Sequence, residues 1–125
     1  MPDYALVLIL MLPAGYLRLL GHELSHVVAV YVTGGTVVAF RPYPTTHEGR
    51  RYWGLILRHG GDDSLCAIAP LAKALTAMVL WVGPAVLWAP LWVFFAWEVT
   101  DVLWWLRGYL WRLPYSDGGK WRALS

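Results

Sequence analysis

Three long apolar stretches dominate the pattern of hydrophobic and polar positions along this chain. They cover residues 4–33, 65–82 and 85–113. Because a helix needs about 20 mostly apolar residues to cross a hydrocarbon core, each stretch is long enough to do so. Gly83-Pro84 separates the last two stretches, and Pro90 marks a second break, so the third helix is expected to begin near residue 85 or near Leu91. The pattern predicts an all-α integral membrane protein with about three transmembrane helices.

A polar segment between the first two stretches interrupts this helical pattern. Gly34-Gly35 is expected to end the first helix, as glycines do after the last helical turn. The β-type runs 36–40 and 52–57 flank a polar loop that contains prolines, residues 41–51. They predict a short membrane-associated β-hairpin over 36–57. Its edge could pair with an extended substrate segment, or the hairpin could be a plain connector.

Composition agrees with a protein embedded in a lipid bilayer. Of its 125 residues, 58% are hydrophobic and only 14% are charged, against about 25% in a typical soluble domain. We therefore expect one membrane-embedded domain over residues 1–125. The net charge of +2 gives no indication of nucleic-acid binding, and the single cysteine, Cys66, excludes an internal disulfide.

Charge predicts the orientation. Most basic residues fall in segments on the same side as the end of the first helix: Arg41, Arg50, Arg51, Arg58, Arg112, Lys120 and Arg122. The opposite side has Asp3 and an uncharged turn at 83–84. Because cytoplasmic loops carry an excess of Lys and Arg, the basic side should be cytoplasmic and the N-terminus outside. The protein is thus predicted to be multi-pass.

The chemistry is concentrated in His22-Glu23-Leu24-Ser25-His26, which fits the H-E-x-x-H pattern of zinc hydrolases. On a helix, His22 and His26 lie on one face and can point ring nitrogens at one metal ion. Glu23 lies to one side of that face, where it can act as general base on a water molecule. The alternative is a hydrogen-bonded histidine pair in a helix bundle, with Glu23 in a salt bridge.

A catalytic zinc site needs a third protein ligand and one open position. If three helices cross, the segment after residue 113 returns to the side of His22 and His26, and Asp117 becomes a candidate. Two acids within the third apolar stretch, Glu98 and Asp101, are competitors, because intramembrane acids are functional candidates. His47 and His59 are expected to be solvated loop residues, although either could be a third ligand. Arg18 is expected to snorkel toward the membrane surface, with an acid or a substrate carbonyl as the alternative partner, and Lys73 could pair with one of these acids.

Three places in the chain resemble the site-2 protease family of intramembrane zinc metalloproteases. The first is the histidine motif with residues 31–35 after it, which is similar to the family's first core helix and its exit into a β-hairpin. Residues 69–73 resemble Gly-Pro-x-x-Asn, with Ala69 and Lys73 replacing Gly and Asn. Residues 113–119 resemble the family's Leu-Asp-Gly element, although the Asn-x-x-Pro before it is absent.

The resemblance implies that Zn²⁺ is bound by His22, His26 and Asp117, with Glu23 as general base. It also implies proteolysis of membrane-spanning protein substrates near the cytoplasmic face. Two alternatives stay open. One is a non-catalytic membrane subunit or metal-binding protein with this fold, which would act with a partner subunit or as a homo-oligomer. The other is a membrane metalloprotease of the CAAX-processing type, with Glu98 as third ligand.

Overall fold

The computed structural model describes residues 3–124, which form four α-helices and two small antiparallel strand pairs. The elements are α1 (Asp3–Val32), β1 (Thr36–Arg41), β2 (Thr45–His47), β3 (Arg50–Tyr52), β4 (Leu55–His59), α2 (Asp63–Leu87), α3 (Trp92–Leu110) and α4 (Asp117–Leu124). Helices α1, α2 and α3 pack against one another, and the short α4 packs against α2 and α3. The predicted helical architecture with one hairpin region is confirmed.

Small side chains fill the places where the helices meet. The buried set consists mainly of Ala14, Ala29, Val30, Cys66, Ala67, Ala74 and Ala85. Large aliphatic side chains point outward instead, and Leu12 and Leu87 are 84% and 89% exposed. Small residues let helix backbones approach closely, which is the main source of packing energy where the surroundings are as apolar as the interior.

Two helices of the described chain are long and apolar enough to cross a membrane. They are Tyr4–Val32 of α1 and Asp63–Leu87 of α2, with mean hydropathies of 1.7 and 1.9. The sequence predicted about three such helices. The third, α3, does not meet the same standard because its 19 residues include Glu98, Asp101 and Arg107.

The boundary between the second and third helices also differs from the prediction. Helix α2 continues through Gly83-Pro84 to Leu87, so the predicted end at residue 82 is wrong. A proline removes one backbone donor, and helices in apolar surroundings tolerate that loss. The chain breaks at Trp88, whose backbone is extended, and Pro90 lies in a 3-10 turn before α3 begins at Trp92. The third helix therefore covers 92–110. Its start agrees with the expected start near Leu91, whereas the start near residue 85 and the end at residue 113 are wrong.

The polar segment between α1 and α2 folds as predicted at its start and is more regular than predicted at its centre. Gly34 adopts a φ of +85°, and the Gly35 amide donates to the Val30 carbonyl at 2.8 Å, so this glycine pair ends α1 as expected. Strands β1 and β4 pair antiparallel. The predicted loop 41–51 contains a second hairpin, in which β2 and β3 pair across the two-residue turn Glu48-Gly49.

Candidate metal centre

The two histidines of the H-E-x-x-H motif lie one turn apart on the same face of α1. Their ring centroids are 5.2 Å apart, and the rings meet edge to face. Both side chains are only partly exposed, 17% for His22 and 14% for His26. The expected placement of both rings on one face of one helix is confirmed.

Asp117, which is distant in sequence, completes a group of three ligand atoms with these histidines. Its Oδ2 lies 3.0 Å from Nε2 of His22 and 3.2 Å from Nε2 of His26. The three atoms all lie within 4.8 Å of one another. In a tetrahedral zinc site, ligand atoms at 2.0–2.1 Å from the metal lie about 3.3 Å from one another. Two imidazoles and a carboxylate at these distances fit a zinc ion.

The end of α3 and the start of α4 place Asp117 there. After α3, Arg112 adopts a φ of +53°, and the Leu113 amide donates to the Gly108 carbonyl at 3.0 Å, which ends the helix and reverses the chain. Helix α4 then starts at Asp117. Gly118 lies directly against the Trp105 carbonyl, where a Cβ atom has no room, so α4 can approach α3 this closely only with glycine at that position.

The electrostatic surroundings of Asp117 favour its ionised form. Burial would raise the pKa of this carboxyl, but the charges of the two histidines and their hydrogen bonds outweigh that effect. The pKa of Asp117 is therefore held well below its usual range. An ionised carboxylate is the form that binds a metal ion.

Asp101 lies on the other side of the His22 ring. Its Oδ1 and Oδ2 atoms are 3.0 Å and 3.2 Å from Nδ1 of His22, the nitrogen that does not face Asp117. The sequence pointed to Asp101 as a competing metal ligand, and the structure places it against the far side of the His22 ring instead, outside the three side chains whose potential ligand atoms converge. Arg18 Nη1 is 3.2 Å from the same Oδ1 atom, so Arg18 pairs with an acid, which the sequence offered only as an alternative to snorkelling.

Glu98 is not part of the group that could hold a metal. Both of its carboxylate oxygens are 2.9 Å from Nζ of Lys73. Lys73 also lies 3.8 Å from Oδ2 of Asp101, so two acids and two bases form one connected group. We call Arg18, Lys73, Glu98 and Asp101 the ion-pair cluster, and His22, His26 and Asp117 the metal cluster.

The loop histidines are likewise placed elsewhere. His47 lies in β2, where Nε2 is 3.6 Å from the Glu48 carboxylate, and His59 ends β4. Among residues 3–124, the three side chains whose potential ligand atoms converge are those of the metal cluster, His22, His26 and Asp117.

Glu23 is buried beside the metal cluster and covered by the hairpin region. It is 5% exposed, and within residues 3–124 no ion pair involves it, which leaves the alternative of a salt-bridged Glu23 without support. Gly54, between β3 and β4, approaches the carboxylate so closely that a Cβ atom there would lie 2.7 Å from Oε1. The sequence did not indicate this contact, although a glycine inside a β-type run is a signal for close approach.

Comparison with known proteins adds no relative. No family model, no curated protein and no solved structure matches the chain. The resemblance to the site-2 protease family therefore rests on the short motifs around His22, Pro70 and Asp117.

Proposed function

We propose that this protein is a zinc-dependent intramembrane endopeptidase that cleaves membrane-spanning protein substrates near the cytoplasmic face. The observation that carries the proposal is the convergence of Nε2 of His22, Nε2 of His26 and Oδ2 of Asp117 next to a buried Glu23. A catalytic zinc site has three protein ligands and one open position, and this donor set supplies three.

His22, His26 and Asp117 would hold the metal. When bound, Zn²⁺ lowers the pKa of a water molecule and polarises the carbonyl group that the water attacks. Iron and cobalt also bind imidazole and carboxylate ligands, so the ligand types favour zinc without being specific for it.

Glu23 would move the protons. Its carboxylate takes a proton from water as the water oxygen bonds to the carbonyl carbon of the scissile peptide. It then gives that proton to the peptide nitrogen as the C–N bond breaks, so the products are a carboxylic acid and an amine. Because no ion pair engages Glu23 within residues 3–124, no cation holds its carboxylate away from this exchange.

A membrane setting is supported by the direction of the side chains. Large aliphatic residues on α1 and α2 face outward, for example Leu12 and Val79 at 84% and 74% exposure. On α3, Glu98 and Asp101 face inward, where Arg18 and Lys73 neutralise them. We infer that α3 also crosses the membrane, since its two acids are paired inside the bundle. The basic residues of the hairpin region and α4 favour the cytoplasm for the site.

A second candidate function is a metal-binding membrane protein without protease activity. The observation in its favour is the cover over Glu23. A general base has to reach both water and substrate, and the contact with Gly54 leaves Glu23 only 5% exposed. For a protease, the segment 53–54 has to move when a substrate enters. The alternative with Glu98 as third ligand gains no support, because Glu98 contacts Lys73.

The deciding experiment uses the protein purified in detergent and returned to liposomes, with a panel of single-span membrane proteins as substrates. We expect one zinc per chain and cleavage by the wild type. Glu23→Gln should keep the zinc and lower the cleavage rate by about 10²-fold or more, because the proton acceptor is gone. The measurements are zinc content by elemental analysis and product formation on gels.

A matched control is Glu48→Gln, the same chemical change at a residue in the β2–β3 turn whose side chain is 86% exposed. It should cleave like the wild type. Undiminished cleavage by Glu23→Gln would overturn the mechanism. One zinc per chain in the wild type, without cleavage of any substrate, would favour the second candidate function.

A further inference from the structure

Asp101 is the most enclosed carboxylate that the proposed mechanism does not use. It is 4% exposed and contacts side chains from two other helices. Its Oδ1 atom is 3.2 Å from Nη1 of Arg18 and 3.0 Å from Nδ1 of His22. Its Oδ2 atom is 3.2 Å from the same Nδ1 and 3.8 Å from Nζ of Lys73. The carboxylate therefore faces three nitrogen atoms, one each from Arg18, His22 and Lys73.

These contacts determine which nitrogen of His22 carries a hydrogen. Arg18 and Lys73 have donors only, so the Asp101 carboxylate between them serves as an acceptor. A hydrogen bond between this acceptor and Nδ1 of His22 requires that Nδ1 carries the hydrogen and donates it. When a metal ion takes the place of a proton at Nε2, the neutral ring keeps its hydrogen on Nδ1 and offers the Nε2 lone pair to the metal. Nε2 is the atom that lies 3.0 Å from Asp117 in the metal cluster.

We infer that Asp101 is a positioning residue for the metal centre, which holds the His22 ring with Nδ1 protonated and Nε2 directed at the metal. The inference rests on the proposed function, because it needs a metal ion in the metal cluster. Metal-binding histidines commonly donate their second ring N–H to a carboxylate, and loss of that partner typically weakens metal binding 10–100-fold.

Glu98 provides the comparison that isolates this role. It lies three residues before Asp101 on α3 and is similarly buried, at 6% exposure against 4%. It shares Lys73 with Asp101 as a partner and has no contact with His22 among its hydrogen bonds and ion pairs in the described chain. An effect that comes only from burial or charge should therefore appear in variants of both residues. An effect on the orientation of the His22 ring should appear only in variants of Asp101.

The test measures the zinc affinity of the purified protein by competition with a chromogenic chelator, and the visible absorption spectrum of the protein loaded with Co²⁺. Asp101→Asn keeps the shape of the side chain and removes the charge. We expect it to bind one zinc per chain about 10–100-fold more weakly than the wild type. Its Co²⁺ bands should also shift, because the coordinating ring changes its orientation and its basicity.

Two controls separate positioning from structural loss. Glu98→Gln should keep both the zinc affinity and the Co²⁺ spectrum of the wild type. Arg18→Gln removes a partner of Asp101 but leaves the bond between Asp101 and His22, so its Co²⁺ bands should also match the wild type. A Co²⁺ spectrum that stays unchanged in Asp101→Asn as well as in both controls would overturn the positioning role of Asp101.

The outcomes distinguish this inference from the proposed function. A wild-type protein that binds no zinc would overturn the proposed function and the inference with it. Tight zinc binding by the wild type, with the same affinity and spectrum in Asp101→Asn, would overturn the positioning role and leave the proposed function standing. An equal loss of affinity in Asp101→Asn and Glu98→Gln would assign the effect to the charge of the cluster and also overturn the positioning role.

Discussion

The ion-pair cluster and the metal cluster are neighbours inside the same bundle, but they balance charge in different ways. In the ion-pair cluster, the carboxylates of Glu98 and Asp101 face the cations of Lys73 and Arg18. The metal cluster has a partly buried carboxylate, Asp117, whose ion-pair partners within residues 3–124 are the imidazoles of His22 and His26, and the buried Glu23 lies beside it. No Lys or Arg of residues 3–124 forms an ion pair with Asp117 or Glu23.

The difference shows two ways in which a bundle of mostly apolar helices accommodates carboxylates, with cationic side chains nearby or without them. A buried charge is costly unless it is paired or coordinates a metal. The ion-pair cluster is complete by itself, because helices α1 and α2 bring the cations to the acids of α3. The metal cluster lacks such a cation, and a divalent metal ion would supply the missing positive charge. Asp101 joins the two, because it contacts Arg18 on one side and His22 on the other.

The largest expected effect is the loss of the metal on removal of Asp117. Asp117→Asn should weaken zinc binding by more than about 100-fold, because loss of a partner behind a ligand alone costs 10–100-fold. Glu98→Gln, the same change in the ion-pair cluster, should retain one zinc per chain. The measurement is zinc content after gel filtration in detergent. The reverse result, with zinc lost only in Glu98→Gln, would move the third ligand to α3.

The second effect concerns the stability of the ion-pair cluster. Lys73→Met leaves Glu98 buried without its cation, which should lower the free energy of unfolding by about 3 kcal/mol. Adding Glu98→Gln should recover much of that loss, since both partners are then uncharged. Denaturant unfolding in detergent micelles would measure both. Lys120→Met, at an exposed lysine, should change the stability by less than about 0.5 kcal/mol.

Equal stability of Lys73→Met and Lys120→Met would show that the ion-pair cluster does not balance a buried charge, and the contrast between the two clusters would fail.

The third effect is the smallest and concerns the placement of α4. Gly118→Ala puts a methyl group against the Trp105 carbonyl, which should cost about 1–3 kcal/mol and move Asp117 away from the histidines. Zinc affinity should fall, whereas the contacts of the ion-pair cluster should persist. Gly83→Ala is the control, because Gly83 also lies in a helix, α2, but a Cβ atom there would meet no neighbouring side chain or backbone of residues 3–124. Wild-type zinc affinity in Gly118→Ala would show that this contact does not position Asp117.

The metal cluster was predictable because two simple rules locate its members. Residues four apart share a helix face, which fixed His22 and His26. If the chain crosses a membrane three times, it returns to the side where the first helix ends, and this rule predicted Asp117 near the histidines. The observed distances of 3.0 Å and 3.2 Å confirm that proximity. Neither rule depends on how the helices are rotated about their axes.

The partners of Glu98 and Asp101 were not predictable, because they do depend on how the helices are rotated about their axes. Three residues apart on α3, they lie on similar faces, and the rotation and height of α3 decide which partner each acid meets. That placement comes from packing, such as the Trp105 ring N–H that donates to the Ala67 carbonyl at 2.9 Å. No spacing in the sequence encodes the contact between Asp101 and His22, which are 79 residues apart.

Two local errors have local causes. The β2–β3 hairpin was missed because its turn begins with Glu48 at a φ of +50°, whereas such turns usually carry Asn, Asp or Gly there. The helix end expected at Gly83-Pro84 was wrong because one missing amide donor does not stop a helix in apolar surroundings.

The docking of α4 has a thermodynamic consequence. This helix packs against α2 and α3, and Asp117 lies in its first turn. A ligand that binds only the folded state stabilises it by mass action, by about 2.7 kcal/mol at 100 times its dissociation constant. Because the histidines belong to α1 and the carboxylate to α4, a metal ion bound by all three would make its occupancy and the docking of α4 coupled equilibria, each promoting the other.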